Sequence, residues 1–256
     1  MKKLLLLVIC VLIAVVMAGC GGAKKEEPAG EKVLRVATDA NFPPFEYYLK
    51  DSKVHTGFDI ELMKAVARGM GYDKVEFINV EFKNILPGLA RKKYDAAIAG
   101  ITVTRDRQRI ADFSDSYMES GLRVVIPVKA EAAEGAGIMK GKKVAAEAGS
   151  YGVEAARRVN AAEVVEVENT EAAIKMVAAG IADCAIADSA PAAFFLANGY
   201  GDEVKFAGEE LAVDNLAVAF AKGNRELLDK FNASLHEVRR SGIYKKIYAS
   251  YFGNIN

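Results

Sequence analysis

Two histidines and three cysteines are all that this 256-residue chain offers of the side chains from which metal centres and thiol chemistry are built. His55 and His236 fall on a loop and a helix far apart in sequence, and no Cys/His spacing of a zinc site is present. There is no Gly-rich phosphate loop running into Lys-Ser or Lys-Thr, and no G-x-S-x-G elbow. An excess of charge of either sign is missing too: 34 Lys and Arg balance 34 Asp and Glu. With no long Lys/Arg block, nucleic acid is a poor candidate partner. Enzyme readings start low, and neither cofactor nor metal is expected.

Long apolar runs are equally scarce, with one exception. Lys2 and Lys3 precede an unbroken apolar run over residues 4–17, which ends in Met17-Ala18-Gly19-Cys20. A positive start, a short apolar core and small residues at the cut make a secretory signal over residues 1–19. The run is too short to span a bilayer comfortably. The Cys directly after Ala-Gly resembles a bacterial lipobox, in which that thiol is lipidated; the plainer alternative is an ordinary signal with a chance cysteine. A Gly/Lys/Glu tether over residues 20–32 favours a lipid anchor at Cys20. Cys10 leaves with the signal, so Cys184 stands alone, no disulfide forms within the mature chain, and Cys184 reads as a small buried hydrophobe. The rest is expected to be an exported monomer, held to the membrane only by its lipid.

Beyond the tether, strand and helix patterns alternate. Residues 33–37 (VLRVA) read as strand, and Phe42-Pro43-Pro44-Phe45 cannot be helix interior. Asp59 can cap a helix with Ile60, Met63, Val66, Ala67 and Met70 on one face and Gly71 at its end. Residues 75–80 read as strand, 84–92 as helix and 95–101 as strand, which argues for a covered, mostly parallel sheet. Offset by 88 residues the pattern recurs: 163–168 as strand, 172–180 as helix, and DCAIA at 183–187 where DAAIA stands at 95–99. Residues 143–148 open this second unit. Two similar α/β lobes fit better than one long sheet. The apolar stretches 121–128 (GLRVVIPV) and 216–221 (LAVAFA) are the candidate crossings, giving lobe one as 33–124 with 221–256 and lobe two as 125–220. An amphipathic helix from Asn224 to Gly242 and an apolar face through Ile243, Ile247 and Tyr251 finish the chain.

Ligands of open α/β sheets bind beyond the carboxyl ends of the strands. Those ends carry Asp39 and Phe42, Glu81 and Phe82, Gly100, Ile101 and Thr102, then Arg105, Arg107 and Arg109. The second unit adds Glu147, Gly149, Ser150, Tyr151 and Asp188. These are carboxylates, hydroxyls, arginines and aromatics, a recognition set without a nucleophile.

Residues 33–47, the run GFDIEL at 57–62, residues 95–107 (with AGITVTRDR) and DFSDSYMESG from Asp112 together resemble the polar amino-acid solute-binding proteins of ABC importers, family 3. The similarity runs over residues 33–253. It implies an α/β, two-lobed type II periplasmic-binding-protein fold, each lobe a mixed, mostly parallel sheet flanked by helices, with two hinge strands and a free amino acid buried at the cleft. By the same resemblance Arg107 clamps the α-carboxylate, where a planar fork gives bidentate bonds that Lys cannot copy. The Gly100 carbonyl, Thr102 hydroxyl and Asp188 hold the α-ammonium, with Ile101 between them. Ser150 and Tyr151 offer backbone N–H groups to the carboxylate, and Phe42 and Phe82 sandwich the side chain. Each has a plainer alternative: Arg107 a solvated member of its cluster, Asp39 an Asx turn, Phe42 and Phe82 core. Tyr47 and Tyr48 read as packing.

Selectivity rests on Asp39 and Glu147, which match positions that meet the far end of the ligand. Two carboxylates favour a cationic side chain, since burying either unpaired costs several kcal/mol. Arginine, lysine or histidine is therefore expected, with glutamine as the alternative. Glu147 pointing away from the cleft would undo that preference. A cyclohexadienyl dehydratase resembles the same family and needs an acid three residues past the Asp matching Asp188; Pro191 stands there and cannot transfer a proton.

Overall fold

Short apolar strands alternating with amphipathic helices need both sheet faces covered. The computed structural model, which describes residues 30–131 and 136–253, builds two such sheets. The signal, Cys20 and most of the tether lie outside the described residues. The first unit starts with β1 (Val33–Thr38) and the small antiparallel strands β2 (Asn41–Phe42), β3 (Glu46–Tyr48) and β4 (His55–Thr56). Helix α1 (Phe58–Gly69), β5 (Lys74–Asn79), α2 (Phe82–Ala90), β6 (Ala96–Ala97), α3 (Arg105–Ile110) and β7 (Ala111–Phe113) follow. The second unit contains β8 (Met118–Pro127), β9 (Lys143–Glu147), α4 (Tyr151–Arg158), β10 (Glu163–Val167), α5 (Thr170–Ala178), β11 (Cys184–Asp188), α6 (Ser189–Phe195) and β12 (Val204–Leu216). Strand β13 (Ala219–Ala221) and helices α7 (Arg225–Arg240) and α8 (Ile243–Phe252) return to the first.

The repeat seen in sequence is a repeat of topology. One sheet runs β5-β1-β6-β13-β7 and the other β10-β9-β11-β8-β12. In each, three parallel strands are followed by an antiparallel one. The first core joins Val36 of β1, Leu62, Met63 and Val66 of α1, and Phe231 and Leu235 of α7, all fully buried. Burying each such side chain contributes about 1.5–3 kcal/mol. The second core joins Val144, Ile186 and Cys184, so the lone cysteine is the small buried hydrophobe expected, with its thiol pushed up to about 11 by burial. Gly57 lets α1 begin where it does: φ is +125°, and a Cβ there would stand 2.1 Å from the Phe45 carbonyl oxygen.

Three expectations change. The strand over 95–101 shortens to Ala96–Ala97, because the chain turns at Gly100 (φ +52°), whose N–H is taken by the Asp59 carboxylate. Asp59 does not cap α1. It is completely buried and bonds Gly100 and Tyr117 instead. The crossings also move. Leu122 to Val125 already pair with β11, and Ala219 to Ala221 pair with β6 and β7 in the first sheet. The apolar stretches 121–128 and 216–221 are thus mostly sheet interior, so lobe boundaries at 124/125 and 220/221 fall too late in the chain. The crossing is made by more polar residues, Glu119 and Ser120 paired with Asn215 and Asp214. Apolarity marks burial within a sheet, whereas a crossing between lobes keeps solvent on its sides.

Candidate functional site

The carboxyl ends of β1 and β6 face those of β9 and β11 across a narrow cavity of about 20 Å³. Asp39, Phe42, Phe82, Gly100, Thr102 and Arg107 line it from the first lobe, and Glu147, Ser150, Tyr151 and Asp188 from the second. Ile101 is the exception among the expected residues. Its side chain is 1 % exposed and packs with Ile85, Leu89 and Tyr94, while its carbonyl accepts from the Ala217 N–H at 3.1 Å. Alternation along the chain turns it away as Gly100 and Thr102 turn inward.

The first-lobe half is tied down. Asp39 is 3 % exposed; one carboxylate oxygen accepts from the Phe82 N–H at 2.8 Å and the other from Asn41 Nδ2 at 2.9 Å. It therefore serves the local turn and the start of α2 while lining the cavity. Burial raises its pKa against those bonds. Phe42 stacks on Phe45 with centroids 5.5 Å apart, and Gly100 lies so close that a Cβ would come within 2.6 Å of the Phe42 ring. Arg107 is not a solvated member of its cluster. It is 7 % exposed, whereas Arg105 and Arg109 are exposed and Arg109 pairs with Asp106. Thr104 fixes the start of α3 by accepting from the Arg107 N–H at 3.2 Å. The guanidinium donates from Nη1 to the Thr102 carbonyl at 2.7 Å and from Nη2 to the Gly149 carbonyl at 3.0 Å, spanning the two lobes. It lies over the Phe82 ring, 5.3 Å from the centroid. A guanidinium carries five donors, so several remain for a ligand carboxylate.

The second-lobe half is less satisfied. Glu147, 8 % exposed at the end of β9, lines the cavity and is bonded by Thr170, from Oγ1 at 3.3 Å and from its backbone N–H. Burial first, then the Asp39 and Asp188 carboxylates, push it up to about 8. Burial pushes Asp188 up to about 7, with Arg107 opposing the shift and Asp214 and Glu210 adding to it. The Ser150 N–H closes a turn onto the Glu147 carbonyl at 3.1 Å, so open backbone donors at the start of α4 begin at Tyr151. Three carboxyl groups thus face one guanidinium.

Beneath this floor lie groups whose burial the sequence pattern did not reveal. Asp59, Glu46 and Tyr117 are all completely buried, and Asp59 Oδ2 accepts from the Gly100 N–H at 3.0 Å and the Tyr117 hydroxyl at 2.8 Å. The available signal was Asp59 set between Phe58 and Ile60 in the run GFDIEL.

The family model of bacterial extracellular solute-binding proteins, family 3, matches residues 34–254. The arginine-binding extracellular protein ArtP of Bacillus subtilis is 30% identical over 98% of this chain and 98% of its own length. An ancestral arginine-binding protein solved with arginine is 36% identical, covers 86% of this chain and 98% of its own, and superposes with a TM-score of 0.82. An ancestral arginine-binding protein solved with glutamine is 37% identical, covering 87% and 98%, with a TM-score of 0.81.

Proposed function

The chain belongs to the bacterial extracellular solute-binding proteins, family 3, and we propose that its cleft captures a free L-amino acid with a cationic side chain, arginine, lysine or histidine, and presents it to the membrane subunits of an ABC importer. The observation that carries this reading is the charge imbalance: Asp39, Glu147 and Asp188 face a cavity in which, among the described residues, Arg107 is the one lining cation. An α-amino acid brings one carboxylate for Arg107 and one ammonium for Asp188, the Gly100 carbonyl and the Thr102 hydroxyl. Asp39 and Glu147 then remain for a side-chain cation, flanked by Phe42 and Phe82, whose rings add about 0.5–2 kcal/mol of cation–π attraction. Tyr151 supplies an open first-turn N–H to the carboxylate. The same groups bind without bond-making: the protein acts as a receptor rather than an enzyme.

Glutamine is the second reading, and one feature favours it. With its carboxyl pushed up to about 8, Glu147 is mostly protonated at neutral pH and can bond a carboxamide. A thermal-shift screen of the common amino acids separates the two. Saturating arginine or lysine at a thousandfold excess over Kd should add about 4 kcal/mol of stability. A large shift with glutamine and none with any basic amino acid would overturn the cationic reading.

Residues 1–19 are proposed as a signal peptide and Cys20 as the lipidated residue, leaving a monomer tethered outside the cell. Among the described residues no helix is long and apolar enough to cross a membrane. Cys20→Ala should release the protein from the membrane fraction; retention there would remove the anchor from this account.

A further inference from the structure

Two carboxyl groups lie in the first-lobe core with no ion pair among the described residues. Glu46 on β3 and Asp59 at the start of α1 are both completely buried and interact with each other. Three of their four oxygens, both of Glu46 and Oδ1 of Asp59, have no hydrogen-bond partner, while Asp59 Oδ2 accepts from Gly100 and Tyr117. Two ionised carboxylates here would be two unpaired charges out of water, each costing several kcal/mol. Among the described residues no His/Cys/Asp/Glu group is arranged to hold a metal ion, so no such cluster is there to accept the charge.

We infer that Glu46 and Asp59 hold one proton between them and that the pair positions the Gly100 turn forming the floor of the ligand cavity. The proton belongs mainly to Glu46, because the two donors on Asp59 Oδ2 favour the ionised form of that side chain. A Glu46 hydroxyl donating to Asp59 Oδ1 serves two of the three orphan oxygens and leaves only the uncharged Glu46 carbonyl oxygen without a partner. The direction of titration agrees: burial, then Asp59, holds Glu46 well above the ordinary carboxylate range, while Asp59 rises to about 6.

The pair reaches the ligand site by short links. Gly100 lines the cavity. Tyr117 sits at the root of β8, with its N–H on the Leu216 carbonyl at 2.9 Å, and Leu216 bridges to Thr102. The site floor and both crossing strands are therefore anchored on one charged centre. The groups facing it are the carboxyls of Asp39 and Glu147, the phenols of Tyr117 and Tyr244, and Arg239, whose guanidinium bonds the Ser116 and Tyr117 carbonyls. Loss of the shared proton adds a second negative charge beside Asp39 and Glu147, and repulsion between the two carboxylates then works against the Asp59 position that holds the Gly100 N–H.

This inference uses L-arginine as probe and so rests on the proposed function for one of its two readouts; the other is ligand-free. In the ligand-free protein at neutral pH, infrared spectroscopy should show a protonated-carboxyl carbonyl stretch that loses intensity in Glu46→Gln. In calorimetry, arginine affinity of the parent should fall more steeply than that of Glu46→Gln as pH rises above about 7, by up to about tenfold per pH unit, the limit for one proton. The ammonium of arginine titrates alike against both proteins. Glu46→Gln keeps the neutral shape and should fold at pH 6; failure to fold there would contradict the inference. Asp59→Asn offers its own N–H to Glu46 and should also flatten the pH profile. Unchanged infrared intensity together with parallel pH profiles would overturn the shared proton. If arginine does not bind at all, the infrared result alone decides this inference and the functional reading fails separately.

Discussion

The two halves of the cleft are built to different standards. On the first lobe Asp39 has both oxygens bonded within that lobe, and Arg107 has carbonyl partners on both lobes. On the second lobe Glu147 is bonded by Thr170 alone, and burial pushes Glu147 and Asp188 up to about 8 and about 7. The first half is preorganised for a zwitterion. The second half lacks positive charge and gains it only when a ligand arrives. On the proposed function, that difference predicts an order: the first lobe would receive the α-carboxylate, and the ammonium and side-chain cation would then draw the second lobe closed, as in domain closure around ligands.

Breaking the organised half should have the largest effect. Arg107→Ala removes the α-carboxylate partner that every amino acid shares, and binding of all of them should weaken by at least about a hundredfold, roughly 3 kcal/mol. Micromolar binding retained in calorimetry would show that Arg107 is not the clamp. Altering the charge-poor half should change preference rather than abolish binding. Glu147→Gln should cost arginine about tenfold in affinity and leave glutamine within about threefold, because only the cation needs the carboxylate. Equal losses for both ligands would place Glu147 outside the selectivity pocket.

The comparison also predicts how stability responds to pH. Glu147, Asp188 and Asp59 all have folded-state pKa values raised above their unfolded ones. The folded protein therefore holds more protons than the unfolded one between about pH 4 and 8. Ligand-free stability is greatest relative to this effect below about pH 4 and falls as pH rises from about 4 to 8, by up to about 10 kcal/mol if the three shifts act in full. Saturating arginine should flatten the decline through Glu147 and Asp188. Denaturant titrations at a series of pH values check both parts; a ligand-free stability rising from pH 5 to 8 would contradict them. The smallest effect is expected at the exposed Arg109–Asp106 pair, where Arg109→Ala should change stability by less than about 1 kcal/mol.

How much of this was legible in the sequence depended on how local each feature is. Alternation of strand and helix, and the 88-residue repeat, are local patterns, and they gave two lobes and the strand ends where Asp39, Gly100, Glu147 and Asp188 stand. Features set by distant partners were hidden. Asp59 looks like a cap because its actual partners, Gly100 and Tyr117, are 41 and 58 residues away. Glu46 follows a proline-rich turn and carries no local sign of burial. Ile101 sits between two cavity residues, and only its packing against Ile85 and Leu89 shows that it faces the lobe core, away from the cavity. The crossings were misplaced because apolar strands draw attention, while the link between lobes runs through Glu119, Ser120, Asp214 and Asn215.

The central claim is that the second half of the cleft waits for a cation, and proton exchange on binding measures it directly. Calorimetric titrations at about pH 7 in two buffers of different ionisation enthalpy give the number of protons released. Any amino acid should release some from Asp188, but arginine should release up to about one proton more than glutamine, as Glu147 ionises to meet the guanidinium. Equal release for arginine and glutamine, with Glu147→Gln leaving the arginine value unchanged, would contradict the account.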